Sequence, residues 1–152
     1  MAVNTANGLD EIRALAGKDL GKSAWLEISQ DRVNLFADAT DDHQWIHVDQ
    51  ERAAAGPFGT TIAHGYLTLS LVIPLFNDLL KVEGIAMGIN YGLDKLRFPA
   101  PVKVGSKIRL GGTVTQVDGV PGGVQAFVDL TVEVEGEAKP ALAARGIYRY
   151  YA

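Results

Sequence analysis

The chain has 152 residues, 47% of them apolar and 21% charged, with a net charge of −4. This is the size of one domain and the balance of a globular protein with a real core, and the acidic excess argues against a nucleic-acid partner. There is no cysteine, so disulfides and thiolate chemistry are excluded, which fits a cytoplasmic protein.

The opening MAVNTANGLDEI has neither a basic region nor an apolar run, so no secretion signal is expected. Residues 9–16 read as a short amphipathic helix that Gly17 ends, and residues 24–29 alternate as a strand. Ser29 suits the N-cap of a helix over 30–39, where Val33, Phe36 and Ala37 share a face. The stretch DATDDHQWIH, residues 38–47, then packs three carboxylates and two imidazoles into ten residues. Asp49 is placed to cap a short helix through Ala55, before Gly56, Pro57 and Gly59 break regular structure.

From His64-Gly65 the chain becomes apolar nearly all round, as YLTLSLVIPLFNDLL over 66–80. That run is too short for a bilayer and carries Thr68, Ser70, Asn77 and Asp78, so it predicts a buried central helix, kinked at Pro74, and no membrane partner. Four β-like segments follow, over 84–98, 106–117, 123–134 and 140–150, with Gly and Pro turns between them. The order predicts an α+β fold, an antiparallel sheet wrapped on one helix. A single sheet leaves edges open, and pairing of two copies is the natural remedy.

Asp42 and His47 are five residues apart. One continuous helix would point them in different directions, whereas a turn lets both converge on a single water. A carboxylate and an imidazole around one water can take its proton and return it elsewhere. Trp45 and Ile46 would lower the local polarity and move both groups toward working pH. On residue types alone a solvated loop with a satisfied histidine explains the stretch as well. A metal site on His43 and His47, with Asp42 and Asp49 nearby, is a third reading, weakened because Gln44-Trp45-Ile46 lacks the glutamate of a zinc-protease helix. His64-Gly65 opens the central helix, where unpaired N–H groups carry partial positive charge and suit a developing oxyanion. Tight packing of helix on sheet is the plainer role for that glycine.

FADATDDHQWIHVDQERAAAGPFGTTIAHGYLTLSLV, residues 36–72, resembles the hydratase signature of the MaoC-like dehydratases, the (R)-specific enoyl-CoA hydratases. DHQWIHVD with AHGYLTLSL is most similar to the nodulation-protein-N-like subgroup, and the likeness continues through INYGLDKLRFPAPVKVGSKIR, residues 89–109. The resemblance implies a single hot-dog domain over 1–152, a long helix wrapped by an antiparallel sheet, working as a homodimer. It implies reversible syn addition of water to a trans-2-enoyl-CoA, giving the (R)-3-hydroxyacyl-CoA, with no metal and no organic cofactor. By the same resemblance Asp42 and His47 are the catalytic pair, and the Gly65 N–H binds the thioester oxygen. Three positions depart from the family pattern: Asp41 replaces a glycine, Gln44 an asparagine and Trp45 a proline. A second carboxylate beside Asp42 matters little if Asp41 turns to solvent.

Gln44, His64, Asn90, Tyr91 and Arg97 are further candidates for substrate contact. Strict alternation places Tyr91 and Arg97 on one face of a strand. Lys95, Arg97, Lys103 and Lys107 are the cations nearest in sequence for CoA phosphates. Two other functions compete. A hot-dog thioesterase commonly carries an acid on its central helix, and here only Asp78, near the far end, is acidic. A non-catalytic acyl-thioester binding protein would not need both members of the pair.

Overall fold

The computed structural model describes residues 3–152. Met1 and Ala2, the start of the segment read as lacking a secretion signal, lie outside the described residues. The three long C-terminal strands, β6 (Lys107–Val120), β7 (Gly123–Val134) and β8 (Leu142–Tyr151), pair antiparallel in chain order. Strand β5 (Met87–Arg97) adds to β8, while the short β2 (Asp19–Lys22) and β3 (Leu26–Glu27) both lie on β6. Alternation works as expected: Ile108, Leu110 and Val114 of β6 and Val124, Val128, Leu130 and Val132 of β7 all turn into the core.

Against that inner face lies the helix α5 (Gly65–Phe76), which buries Leu67, Leu71, Val72, Leu75 and Phe76. The Phe76 ring stacks on Tyr148 of β8 at 5.4 Å. This is the hot-dog arrangement of helix and sheet. Helix α5 stops at Phe76 rather than Leu80: Pro74 sits in its last turn, and Leu80–Glu83 forms β4 instead. β4 pairs in parallel with β1 (Asn4–Asn7). Apolar character around the whole circumference cannot separate a buried helix from a buried strand, and β4's partner lies far back in the chain. No helix among the described residues is long and apolar enough to cross a membrane.

The first helix, α1 (Gly8–Arg13), is shorter than expected, and the chain turns before Gly17, whose φ is +86°. The strand expected over 24–29 keeps only the two paired residues of β3. Helix α2 (Gln30–Thr40) begins as read, with the Ser29 hydroxyl accepting the Arg32 N–H at 3.2 Å, a cap that contributes about 1 kcal/mol. After it come α3 (Trp45–Val48) and α4 (Gln50–Ala54). The expected Asp49 cap is present, accepting the Arg52 N–H at 3.0 Å.

Candidate active site

Helix α2 ends on Asp41, which takes a left-handed conformation (φ 57°) and is exposed. Short polar side chains tolerate that conformation best, so a glycine is not needed there. Gln44 is exposed and precedes the single turn of α3 without a side-chain capping bond, and that turn carries His47 inward. The imidazole is 7% exposed. Its Nδ1 lies 2.7 Å from the Ile62 carbonyl. A carbonyl only accepts, so Nδ1 carries the proton and Nε2 presents a lone pair. Burial holds this imidazole below its ordinary value of 6.5, and the neighbouring His64 pushes the same way. The Ile62 bond and the Asp42 charge oppose them without prevailing.

His64, only 3% exposed, stacks on His47 with ring centroids 3.8 Å apart and planes 23° from parallel. Its Nε2–H donates to the backbone carbonyl of Asp42 at 2.9 Å. One ring therefore touches both members of the pair. His64, a candidate substrate contact from sequence, packs in this way against both, and its ring centroid lies 4.9 Å from that of Phe36.

Asp42, His47 and His64 each bring one polar side-chain atom within 4.8 Å of the others. A single water, with hydrogen bonds of about 2.8 Å to each side, spans such a gap. An ion fits this set poorly. Both imidazoles would have to aim in-plane lone pairs at one point about 2 Å away, and stacked rings direct them side by side. His43, the other half of the metal pair considered from sequence, instead bonds Asp38 at 2.9 Å, and that hydrogen bond raises its pKa.

His47 opens onto a cleft of about 320 Å³ lined by Phe58, Gly65, Thr68, Phe98 and Val102. Gly65 is the first residue of α5, so its N–H has no carbonyl one turn earlier within the helix. A Cβ at Gly65 would lie 3.1 Å from the Phe98 ring, so glycine is what lets this wall approach the backbone. His47 and Gly65 thus line one cleft, and a polar atom of Asp42 lies within 4.8 Å of one of His47.

The remaining candidates are not joined to it within one protomer. Asn90 lines a separate cleft of about 330 Å³ between α5 and β5, with Leu69, Ile73 and Tyr148. Tyr91 lies under the Arg149 guanidinium at 3.6 Å, and Arg97 bonds the carbonyl of its neighbour Leu96. The expected alternation between Tyr91 and Arg97 fails, because β5 shifts register between Asn90 and Gly92 and again between Asp94 and Arg97. Each extra residue breaks the two-residue period. Asp78, the acid a thioesterase reading would need, accepts the Ala24 N–H at 3.0 Å outside α5.

Residues 11–137 match the family model described as MaoC like domain. Over 151 residues the chain is 55% identical to 3-hydroxyacyl-thioester dehydratase Z of Mycobacterium tuberculosis (strain ATCC 25618 / H37Rv), covering 99% of this chain and all of that one. It is 47% identical to nodulation protein N of Rhizobium leguminosarum bv. viciae, over 91% of this chain and 88% of that protein. The (R)-hydratase of A. caviae involved in PHA biosynthesis superposes with a TM-score of 0.73 at 24% identity, covering 88% and 94% of the two chains, a likeness of fold.

Proposed function

The chain belongs to the MaoC-like dehydratase family, and from that premise we propose that it is a single-domain hydro-lyase adding water reversibly to trans-2-enoyl-CoA to give (R)-3-hydroxyacyl-CoA. The observation that carries the reading is the approach of Asp42 to within one water's span of His47, which lines the same cleft as Gly65. His47 Nε2 takes a proton as the water oxygen bonds C3 of the enoyl thioester. The π electrons move onto the thioester oxygen, which the Gly65 N–H and the start of α5 stabilise. The enolate collapses, and C2 receives a proton through the same pair. Oxygen and hydrogen both arrive from the side where the pair sits, which gives syn addition. The family resemblance supplies the (R) hand. No metal or organic cofactor is needed for these steps.

The test is direct. Purified protein should consume crotonyl-CoA, seen as loss of enoyl-thioester absorbance, and chiral analysis should return the (R) product. An (S) product, or no turnover, would sink the reading. The rate should also carry a pH signature. Only neutral His47 can accept a proton, and burial lowers its pKa, so the acid limb of kcat/KM should have its midpoint below pH 6.5.

The working unit is proposed to be a homodimer. β5 is an edge strand exposed along almost its whole length, and its apolar residues stay in water in one protomer, Met87 at 50% exposure. The open side of α5 adds Tyr66, 69% exposed, and Ile73. Pairing two copies through β5 would cover both. Sedimentation equilibrium should give twice the 16.3 kDa chain mass. A charged edge, Ile89→Lys with Leu93→Lys, should shift the protein toward single chains.

A further inference from the structure

His47 stands on a helix of one turn, and one turn of helix does not hold a side chain still. Its carbonyl is placed by something else. The Nε2 of Gln30, in the first turn of α2, donates to the His47 carbonyl at 2.8 Å. The same nitrogen donates to Asn34 Oδ1 at 2.9 Å, so both its hydrogens are used. The Gln30 Oε1 accepts the hydroxyl of Thr61, a residue 1% exposed. Thr61 immediately precedes Ile62, whose carbonyl takes the Nδ1 proton of His47. The Ile62 N–H also donates to the Ile46 carbonyl at 3.0 Å.

One amide therefore grips both sides of the imidazole's mounting: the backbone that carries the ring, and the segment that orients it. The orientation of the amide is forced, since the His47 carbonyl cannot donate and must face the NH2 group. Its own first turn is anchored by the Ser29 cap.

We propose that Gln30 is a positioning residue for the water-activating imidazole, acting by fixing the distance between His47 and the Ile62 carbonyl and so the tautomer that leaves Nε2 free. This rests on the hydratase reading for its kinetic consequence but not for its structural one. Geometry of this kind matters because small displacements of a catalytic base cost large factors in rate.

The experiment uses Gln30→Met, close in shape and unable to hydrogen-bond. Nitrogen-15 NMR of the histidine rings reads the tautomer with no reference to activity. The wild type should show one His47 tautomer with Nδ1 protonated, and Gln30→Met a mixture. In crotonyl-CoA hydration, kcat should fall roughly tenfold to a hundredfold, with KM within about twofold. Should Gln30→Met fail to fold, Thr61→Val, which removes one end of the grip, should give the same two changes to a smaller degree. A pure Nδ1-protonated spectrum in the folded variant overturns the proposal, whatever the rate does. So does a wild-type kcat. A wild type that shows the tautomer but hydrates nothing would strike the proposed reaction and leave the positioning role standing.

Discussion

Asp42→Asn and His47→Asn should each fold normally and hydrate crotonyl-CoA more slowly by on the order of a hundredfold to ten-thousandfold. The two substitutions are chosen for what they retain. Asparagine at 42 keeps the side-chain shape and leaves the backbone carbonyl that His64 holds. Asparagine at 47 can place its amide N–H near the position of Nδ1, facing the Ile62 carbonyl, while the Nε2 lone pair is gone. Neither change unpairs a buried charge, so circular dichroism and melting should stay close to wild type. The double variant should be little worse than the worse single one, because the two groups act on one water and their losses do not add. Near wild-type turnover in either single variant would remove that residue from the mechanism.

Gly65→Pro should lose a hundredfold to about a thousandfold in kcat while Gly65→Ala loses less than about tenfold. Proline is tolerated at the first position of a helix, where its missing N–H costs no helical bond. The preceding residue, His64, has φ −60° and ψ 137°, a conformation a following proline accepts. Both variants press a Cβ toward Phe98, whose ring is 40% exposed and has room to yield. They differ at the nitrogen, where alanine keeps the N–H and proline carries its ring Cδ instead. Equal losses would mean that crowding against Phe98, and not the N–H, is what glycine avoids.

The proposed chemistry accounts for the cluster of ionisable residues after α2. Asp38 and His43 satisfy each other on the surface, and Asp41 turns the chain in a left-handed step. Asp42 comes within 4.8 Å of His47, one exposed and one buried, which suits the proposed pair, one member reached by water and the other facing the cleft.

Much of this was legible residue by residue. The Ser29 and Asp49 caps, the closeness of Asp42 to His47 and the opening of α5 at Gly65 all depend on neighbours within a turn or two of chain. Local hydrogen-bonding rules and the family signature read such features directly. The long alternating strands were legible for the same reason, since the two-residue period is written along each segment. Features set by partners distant in sequence were not. The β1–β4 pairing, the register shifts that send Tyr91 and Arg97 away from strict alternation, and the stop of α5 at Phe76 each answer to packing between remote segments. The supports of the site belong with them. His64 was singled out for its place before Gly65, yet its bond to the Asp42 carbonyl and its stack on His47 exist only once α5 is docked beside the loop. Nothing in the sequence marks Gln30, because the carbonyl and hydroxyl it joins are 17 and 31 positions further along the chain. The proposed pair is thus a local feature, which residue types leave open and the family signature selects, whereas the contacts that would hold it in place are long-range and only folding makes them.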